Sequence, residues 1–277
     1  MDRTASPSAS PPTPTHSPLR RLAWTVSDTL VMAKRNLLRY LRLPQLLVFS
    51  TVQPIMFVLL FAFVFGGAIS TPGVDYINYL IPGILVQTVL FGASQTTVGL
   101  ADDLAHGMVD RFRSLPMARS AVLAGRTLAD SARNVFVVLL MLGVGALIGF
   151  RFEGGVLASA GAVALVVGFG FAFSWISALI GLAVKDTETA QVAGFIWIFP
   201  LVFASSAFVP VQTMPGWLQA FAEVQPISVT VNAVRYLTSD GAAPGTAASD
   251  VGLALLWVVG ILAAFVPLAV AQYRRSV

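Results

Sequence analysis

The side chains of this chain that could do chemistry are few, and they point away from catalysis. The 277 residues include no cysteine and two histidines, His16 and His106. There is therefore no thiolate nucleophile, no disulfide framework and no cysteine metal site. No HExxH zinc pair and no GxSxG nucleophile elbow is present, so no metal ligands and no catalytic residues are expected. The two lysines, Lys34 and Lys185, follow Ala33 and Val184, whereas a phosphate-binding loop needs glycine before its lysine. The chain has no nucleotide site of that kind and binds no cofactor of its own. Charge of both signs is dense in residues 101–133, ADDLAHGMVDRFRSLPMARSAVLAGRTLADSAR. There Asp103, Asp110, Arg111 and Arg113 alternate in sign among Leu104, Met108, Val109, Phe112 and Leu115. The segment reads as a short helix ending at Pro116, then a second helix from about Ser120, a plausible N-cap. A helix with an apolar face and arginines suits docking of another protein; a solvated helical flank has the same composition. His106 reads as a solvated surface residue.

The surrounding composition says what must position such a segment. Hydrophobic residues make up 56% of the chain and charged residues 11%, against roughly 25% in soluble proteins. Mean hydropathy is +0.80. There are too few charges to cover a soluble domain of this size, which excludes a soluble enzyme, a disordered chain and a nucleic-acid-binding domain. The solvent is largely lipid.

Residues 1–18 read as a disordered tail rich in Pro, Ser and Thr. Residues 19–44 read as an amphipathic helix, with Val26, Leu30, Ala33, Leu37 and Leu41 on one face and Arg21, Asp28, Arg35, Arg39 and Arg42 on the other. Such a helix lies in the membrane interface with its arginines near anionic head groups. Residues 45–277 form the transmembrane domain, with six spans at about 46–65, 80–100, 134–150, 156–184, 190–208 and 251–271. The third is short, so Arg133 is expected to snorkel. The fourth is long, and is either tilted or broken near Gly168 and Gly170. Pro54, Pro200 and Pro267 should kink their spans. Fifteen of the basic residues fall on one side of this plan and two, Arg151 and Arg235, on the other. That places both termini and the 2–3 and 4–5 loops in the cytoplasm, and explains a pI near 9.8 without a nucleic-acid partner.

No Asp, Glu, Lys, Arg or His lies within these six spans. That weakens proton coupling, and weakens sodium coupling less, since carbonyls and hydroxyls can hold sodium. The polar residues left are neutral, and span 2 is richest, with Gln87, Ser94, Gln95, Thr96 and Thr97. Gln87, Ser94, Gln95 and Thr97 are the candidates for a transport pathway or a dimer interface; interhelical hydrogen bonding is the other reading. The 5–6 loop, residues 209–250, is too apolar for a free loop. Two short apolar blocks punctuated by Pro210, Pro215 and Pro226 and carrying Trp217 read as re-entrant helices capping an exit.

At these two loops the sequence resembles the permease subunit of type-2 ABC exporters, in the daunorubicin/doxorubicin-resistance permease branch, with nodulation-factor exporters as relatives. The first motif is Gly107-Met108-Val109-Asp110-Arg111-Phe112-Arg113-Ser114-Leu115-Pro116-Met117, followed by Ala121-Val122-Leu123 and Gly125-Arg126. The second is Phe208-Val209-Pro210, Met214-Pro215-Gly216-Trp217-Leu218, then Gln225-Pro226-Ile227 and Arg235. The wider family often has a Glu-Arg pair ahead of the loop glycine; here Asp103 keeps the acid and Leu104 replaces the base. The resemblance implies an all-α, six-span exporter fold in a bacterial cell membrane. Two separate ATPase subunits would hold ATP and Mg, and a second permease copy or close homologue would complete the complex. It also implies that residues Asp103 to Pro116 form the coupling helix, that the helix bearing Arg35, Arg39 and Arg42 transmits its motion, and that the 5–6 helices gate the outer end. The function implied is export of a hydrophobic or amphipathic drug, lipid or glycolipid. An ion-coupled transporter or channel, or a membrane scaffold without transport, are the competing classes.

Overall fold

A computed structural model of the chain describes residues 18–275, except 43, 68, 70, 72, 108–118, 185 and 242. Of the tail expected at 1–18, residues 1–17 lie outside the described residues, as does the loop core at 108–118, while Pro18 already belongs to the first helix. The rest is helical: α1 Pro18–Arg42, α2 Pro44–Leu59 running into a π-helical turn at Leu60–Phe65, α3 Tyr76–Ala105, α4 Arg119–Leu147, α5 Gly155–Ala183, α6 Thr187–Ile196, α7 Ile198–Phe203, α8 Gly216–Val224, α9 Pro226–Thr238 and α10 Ala248–Arg275. Four of these, α3, α4 from Ser120, α5 and α10, are long and apolar enough to cross a membrane, and Ser50–Phe65 and Thr187–Phe203 are shorter apolar segments.

The bundle is built around α3. Its apolar stretch is 78% buried, whereas that of α10 is 17% buried. Apolar burial does not drive helix association in lipid; close van der Waals packing does, and small residues permit it. Accordingly α5 lies against α3 where Gly170 meets Val89 and Gly181 meets the backbone of Thr97. α5 is continuous from Gly155 to Ala183, so the break considered near Gly168 and Gly170 does not occur. The glycines serve close approach instead.

The fifth expected span is interrupted. α6 stops at Ile196, Trp197 forms a turn, and α7 ends at Phe203. Pro200 has no N–H for the Ile196 carbonyl, which accounts for the break one turn ahead of it. Residues 204–208, expected to be spanning helix, instead form a turn beside α9. The two expected short helices after it are present as α8 and α9. α8 is surface-exposed, with Trp217 77% exposed. α9 packs into the bundle against α3, α5 and α10, burying Ile227, Val229, Val231 and Val234.

The largest correction is at the 2–3 loop. Residues 101–105 belong to α3, and residues 119–133 belong to one unbroken helix with the expected third span. Ser120 sits in the first turn of α4 and is not its cap. The helix that contains the expected third span therefore carries charge ahead of it, because Arg126, Asp130 and Arg133 ride on α4 and all three are buried. Arg133 is 4% exposed and turns inward, where its guanidinium donates to the Gly92 carbonyl at 2.7 Å, in place of the expected snorkelling.

α1 packs along the first half of α4. Gly125 makes room, since a Cβ there would press on Met32 and the Thr29 carbonyl. The face turned to the protein carries Met32 and Asn36, while the expected apolar stripe, Val26, Leu30 and Leu37, is exposed.

Candidate functional site: the charged end of the bundle and its cavity

The C-terminal half of α1, the end of α3 and the start of α4 converge on a cluster of charge. Asp103, one turn from the end of α3, pairs with Arg126 of α4 at 2.7 Å, both almost fully buried. The adjacent Asp102 faces outward and pairs with Arg39 of α1 at 3.2 Å. Asp130, buried one turn further along α4, accepts from the Tyr40 hydroxyl at 2.6 Å and from Thr96 Oγ1 at 2.6 Å. The Arg133 guanidinium lies 5.3 Å from the centre of the Tyr40 ring. Burial first, then the Asp130 carboxylate, push the Tyr40 hydroxyl above its ordinary pKa, so it remains a donor at any working pH. α1 is thus fastened to both long helices by charge-assisted bonds.

Glycines make this possible. On α3, Gly92 and Gly99 are seven residues apart, and on α4 so are Arg126 and Arg133. A Cβ at Gly99 would fall on the Arg126 guanidinium, and one at Gly92 on Asn134 and Arg133. Two helical turns bring each glycine opposite its arginine on the antiparallel neighbour.

Asp103 and Gly107 are the only members of the expected coupling set within the described residues. Asp103 is engaged inside the subunit, and Arg126 supplies the basic partner that Leu104 does not. Gly107 follows α3 with φ +63° and returns its N–H to the Leu104 carbonyl at 3.1 Å, a left-handed helix ending that suits glycine. Asp110, Arg111, Phe112, Arg113 and Pro116 lie outside the described residues. His106 is exposed, with Nδ1 3.2 Å from Asp102. Of the interface-helix arginines, Arg35 is half-buried and bonds Asn36 at 3.1 Å, and Arg42 is exposed.

Beside the cluster lies a cavity of about 440 Å³ between α1, α2, α3, α4 and α6. Phe57, Phe91 and Phe195 form apolar walls, and Gln53, Gln87, Gln95 and Asn134 supply amides. Gln87 Oε1 and Asn134 Nδ2 are buried without a hydrogen-bond partner among the described residues. The expected pathway residues divide here. Gln87 and Gln95 line the cavity. Ser94 bonds the Phe91 carbonyl, and Thr97 bonds the Ser177 carbonyl of α5 at 2.9 Å, so both act in packing.

At the opposite end of α3, Arg235 of α9 is 3% exposed and stacks on Tyr79, 3.5 Å from the ring centre. It donates to the carbonyls of Tyr79 at 2.9 Å and Ser206 at 2.7 Å. The side-chain amide of Gln225 donates to the carbonyls of Leu201 and Ala204, and Pro226 opens α9 at a position that needs no N–H. The sequence sets Arg235 among loop charges; in the structure it is a buried tie between α3, α9 and the turn after α7. Pro210 precedes the short turn Val211–Thr213, and Pro215 precedes α8.

A helical bundle with several membrane-length apolar helices fits a multi-pass membrane protein. The chain belongs to the ABC-2 type transporter family, which matches residues 27–238. It is 36% identical over 255 residues to the daunorubicin resistance ABC transporter permease protein DrrB1 of Streptomyces coeruleorubidus, covering 92% of this chain and 88% of that one. It is 29% identical over 253 residues to the probable doxorubicin resistance ABC transporter permease protein DrrC of Mycobacterium tuberculosis, covering 91% and 90%. It is also 26% identical over 224 residues to the putative transport permease ycf38 of Cyanophora paradoxa, covering 77% and 75%.

Proposed function

We propose that this chain is the permease subunit of an ATP-driven exporter that moves a hydrophobic or amphipathic compound out of the cell. The observation that carries the reading is the charged seam Arg39–Asp102, Asp103–Arg126 and Tyr40–Asp130. It locks α1 to α3 and α4 at the end where α3 finishes and α4 begins. A force applied there by a partner would reach three helices at once.

ATP and Mg belong to two ATPase subunits, to which the coupling segment from Asp103 to Pro116 docks. A second permease copy or close homologue completes the complex. Ser50–Phe65 and Thr187–Phe203 add to the four long helices to make six spans, with both termini cytoplasmic in a bacterial cell membrane. The cavity with Phe57, Phe91 and Phe195 and the free Gln87 and Asn134 amide atoms suits flat apolar cargo with hydrogen-bonding edges. Relatives named for daunorubicin and doxorubicin resistance support drug efflux. Proton coupling can no longer be set aside for want of buried acids, but Asp103 and Asp130 are each satisfied by a partner within the chain. Their pairing favours a structural seam over a proton site.

The test is charge reversal at Asp110 or Arg111. Each variant should insert normally and allow the partner ATPase to turn over, while export falls at least tenfold. Normal export by both would overturn the coupling assignment. A mild-detergent pull-down that recovers no ATPase beside an intact control complex would overturn the exporter reading itself.

A further inference from the structure

Arg235 also forms part of the lining of a second cavity, of about 270 Å³, at the end of α3 away from the charged seam. This is smaller than the roughly 300–1,000 Å³ of sites for drug-sized ligands, and it is a poor chamber for the cargo discussed above. Its lining among the described residues contains no acidic side chain. The Arg235 charge is met by carbonyl oxygens, by Asn232 Oδ1 at 3.3 Å and by the face of Tyr79, all of them neutral. A buried cation balanced by dipoles alone leaves a positive field in the adjoining space.

Two amides face the same cavity with their acceptors already used. Asn232 Oδ1 accepts from Arg235 Nη1 and from the Ser206 hydroxyl at 3.1 Å. Asn78 Oδ1 accepts the Arg151 backbone N–H at 3.2 Å. The Nδ2 groups of both have no acceptor among the described residues. Thr71 and Thr213 turn their hydroxyl protons to the Val74 and Pro210 carbonyls. The unused hydrogen-bonding capacity that the amides and guanidinium offer is of the donor kind.

We propose that this cavity binds a small oxyanion of the phosphate or carboxylate class, held by the Nδ2 groups of Asn78 and Asn232 over the Arg235 charge. Its source is either a free anion or the phosphate of a lipid head group. The adjoining cleft carries Asp75, Arg151 and Glu153, all exposed at the rim where solvent and salt screen them. Arg235 is at the floor and is not screened.

Substitution of Arg235 would remove a tie of the fold, so the test uses its neighbours. Asn232→Asp places a carboxylate against the guanidinium and should occupy the site internally. Asn78→Asp keeps the acceptor for the Arg151 N–H, removes a donor and leaves every Arg235 contact in place. The full chain, purified in a phosphate-free maltoside, is titrated with inorganic phosphate while its unfolding temperature is followed, with chloride as the ionic-strength control. Phosphatidylglycerol is then added, and retained lipid is counted by native mass spectrometry. A saturable rise with phosphate, weakened at least tenfold in affinity in both variants, identifies a free-anion site. Retention of phosphatidylglycerol that drops at least tenfold in both variants, without a phosphate response, identifies a lipid phosphate. If neither ligand separates wild type from the folded Asn78→Asp chain, the proposal is wrong. The outcome is independent of whether the chain is an exporter.

Discussion

Asp103 and Arg126 hold each other at 2.7 Å between α3 and α4, with 11% of each side chain exposed. Removing one partner leaves the other charged and buried, a loss of about 3–5 kcal/mol. Asp103→Ala should therefore lower the unfolding temperature sharply in detergent. Asp103→Asn should cost less, and Asp103→Ala combined with Arg126→Met should recover part of the loss. Strictly additive single variants would show that the pair carries no coupling.

Gly99 leaves the space that the Arg126 guanidinium fills. Gly99→Ala should destabilise the protein by about 1–3 kcal/mol through overpacking, despite the better helix propensity of alanine. Gly143 has open space around its would-be Cβ. Gly143→Ala should be neutral or stabilise by up to about 1 kcal/mol. Equal effects at the two positions in a thermal-shift comparison would refute the packing account.

Tyr40→Phe deletes the hydroxyl that donates to Asp130. A hydrogen bond to a charged group contributes about 1.5–3 kcal/mol. The variant should fold, retain ATPase association and show depressed export, because α1 has lost a fastening to α4. Unchanged transport in proteoliposomes containing the partner ATPase would mean that α1 does not transmit motion through this bond.

Asp186 caps α6, accepting the Thr189 N–H at 2.7 Å, and this holds its carboxyl below the usual aspartate value. A depressed acid stabilises the fold above its unfolded pKa and ceases to do so as pH falls through its folded pKa. The stability gap between wild type and Asp186→Ala should be full at neutral pH and close on acidification into that range. A gap independent of pH, measured by thermal unfolding across buffers, would assign the cap to something other than its charge.

Some of this architecture is legible in the residues, and some is hidden by them. The two short helices of the 5–6 loop are visible because Pro215 and Pro226 mark their starts and their apolar runs are too short to span. α1 is visible from its 3.6-residue period. The continuity of α4 is not, since Arg126, Asp130 and Arg133 look like loop charges until Asp103, Tyr40, Thr96 and Gly92 are brought opposite them by the fold. Those partners lie between 23 and 90 residues away, and local periodicity carries no record of them. A sequence signal did exist: the seven-residue spacing of Gly92 and Gly99 matches that of Arg126 and Arg133. Arg235 is hidden for a similar reason, since its counterparts are carbonyl oxygens, which have no letter in the sequence.

The uneven burial of the long helices bears on how the protein can vary. α10 presents Leu253, Leu255, Leu256 and Val259 outward, while nearly every position of α3 from Leu80 to Phe91 is enclosed. An apolar exchange at these outward positions of α10 meets few fixed neighbours among the described residues, whereas the same exchange on α3 meets them on several sides. Mutational drift and engineered labels, such as fluorophores, crosslinkers or affinity handles, belong on the outermost helix. Apolar exchanges within α3 must be accommodated several positions at a time.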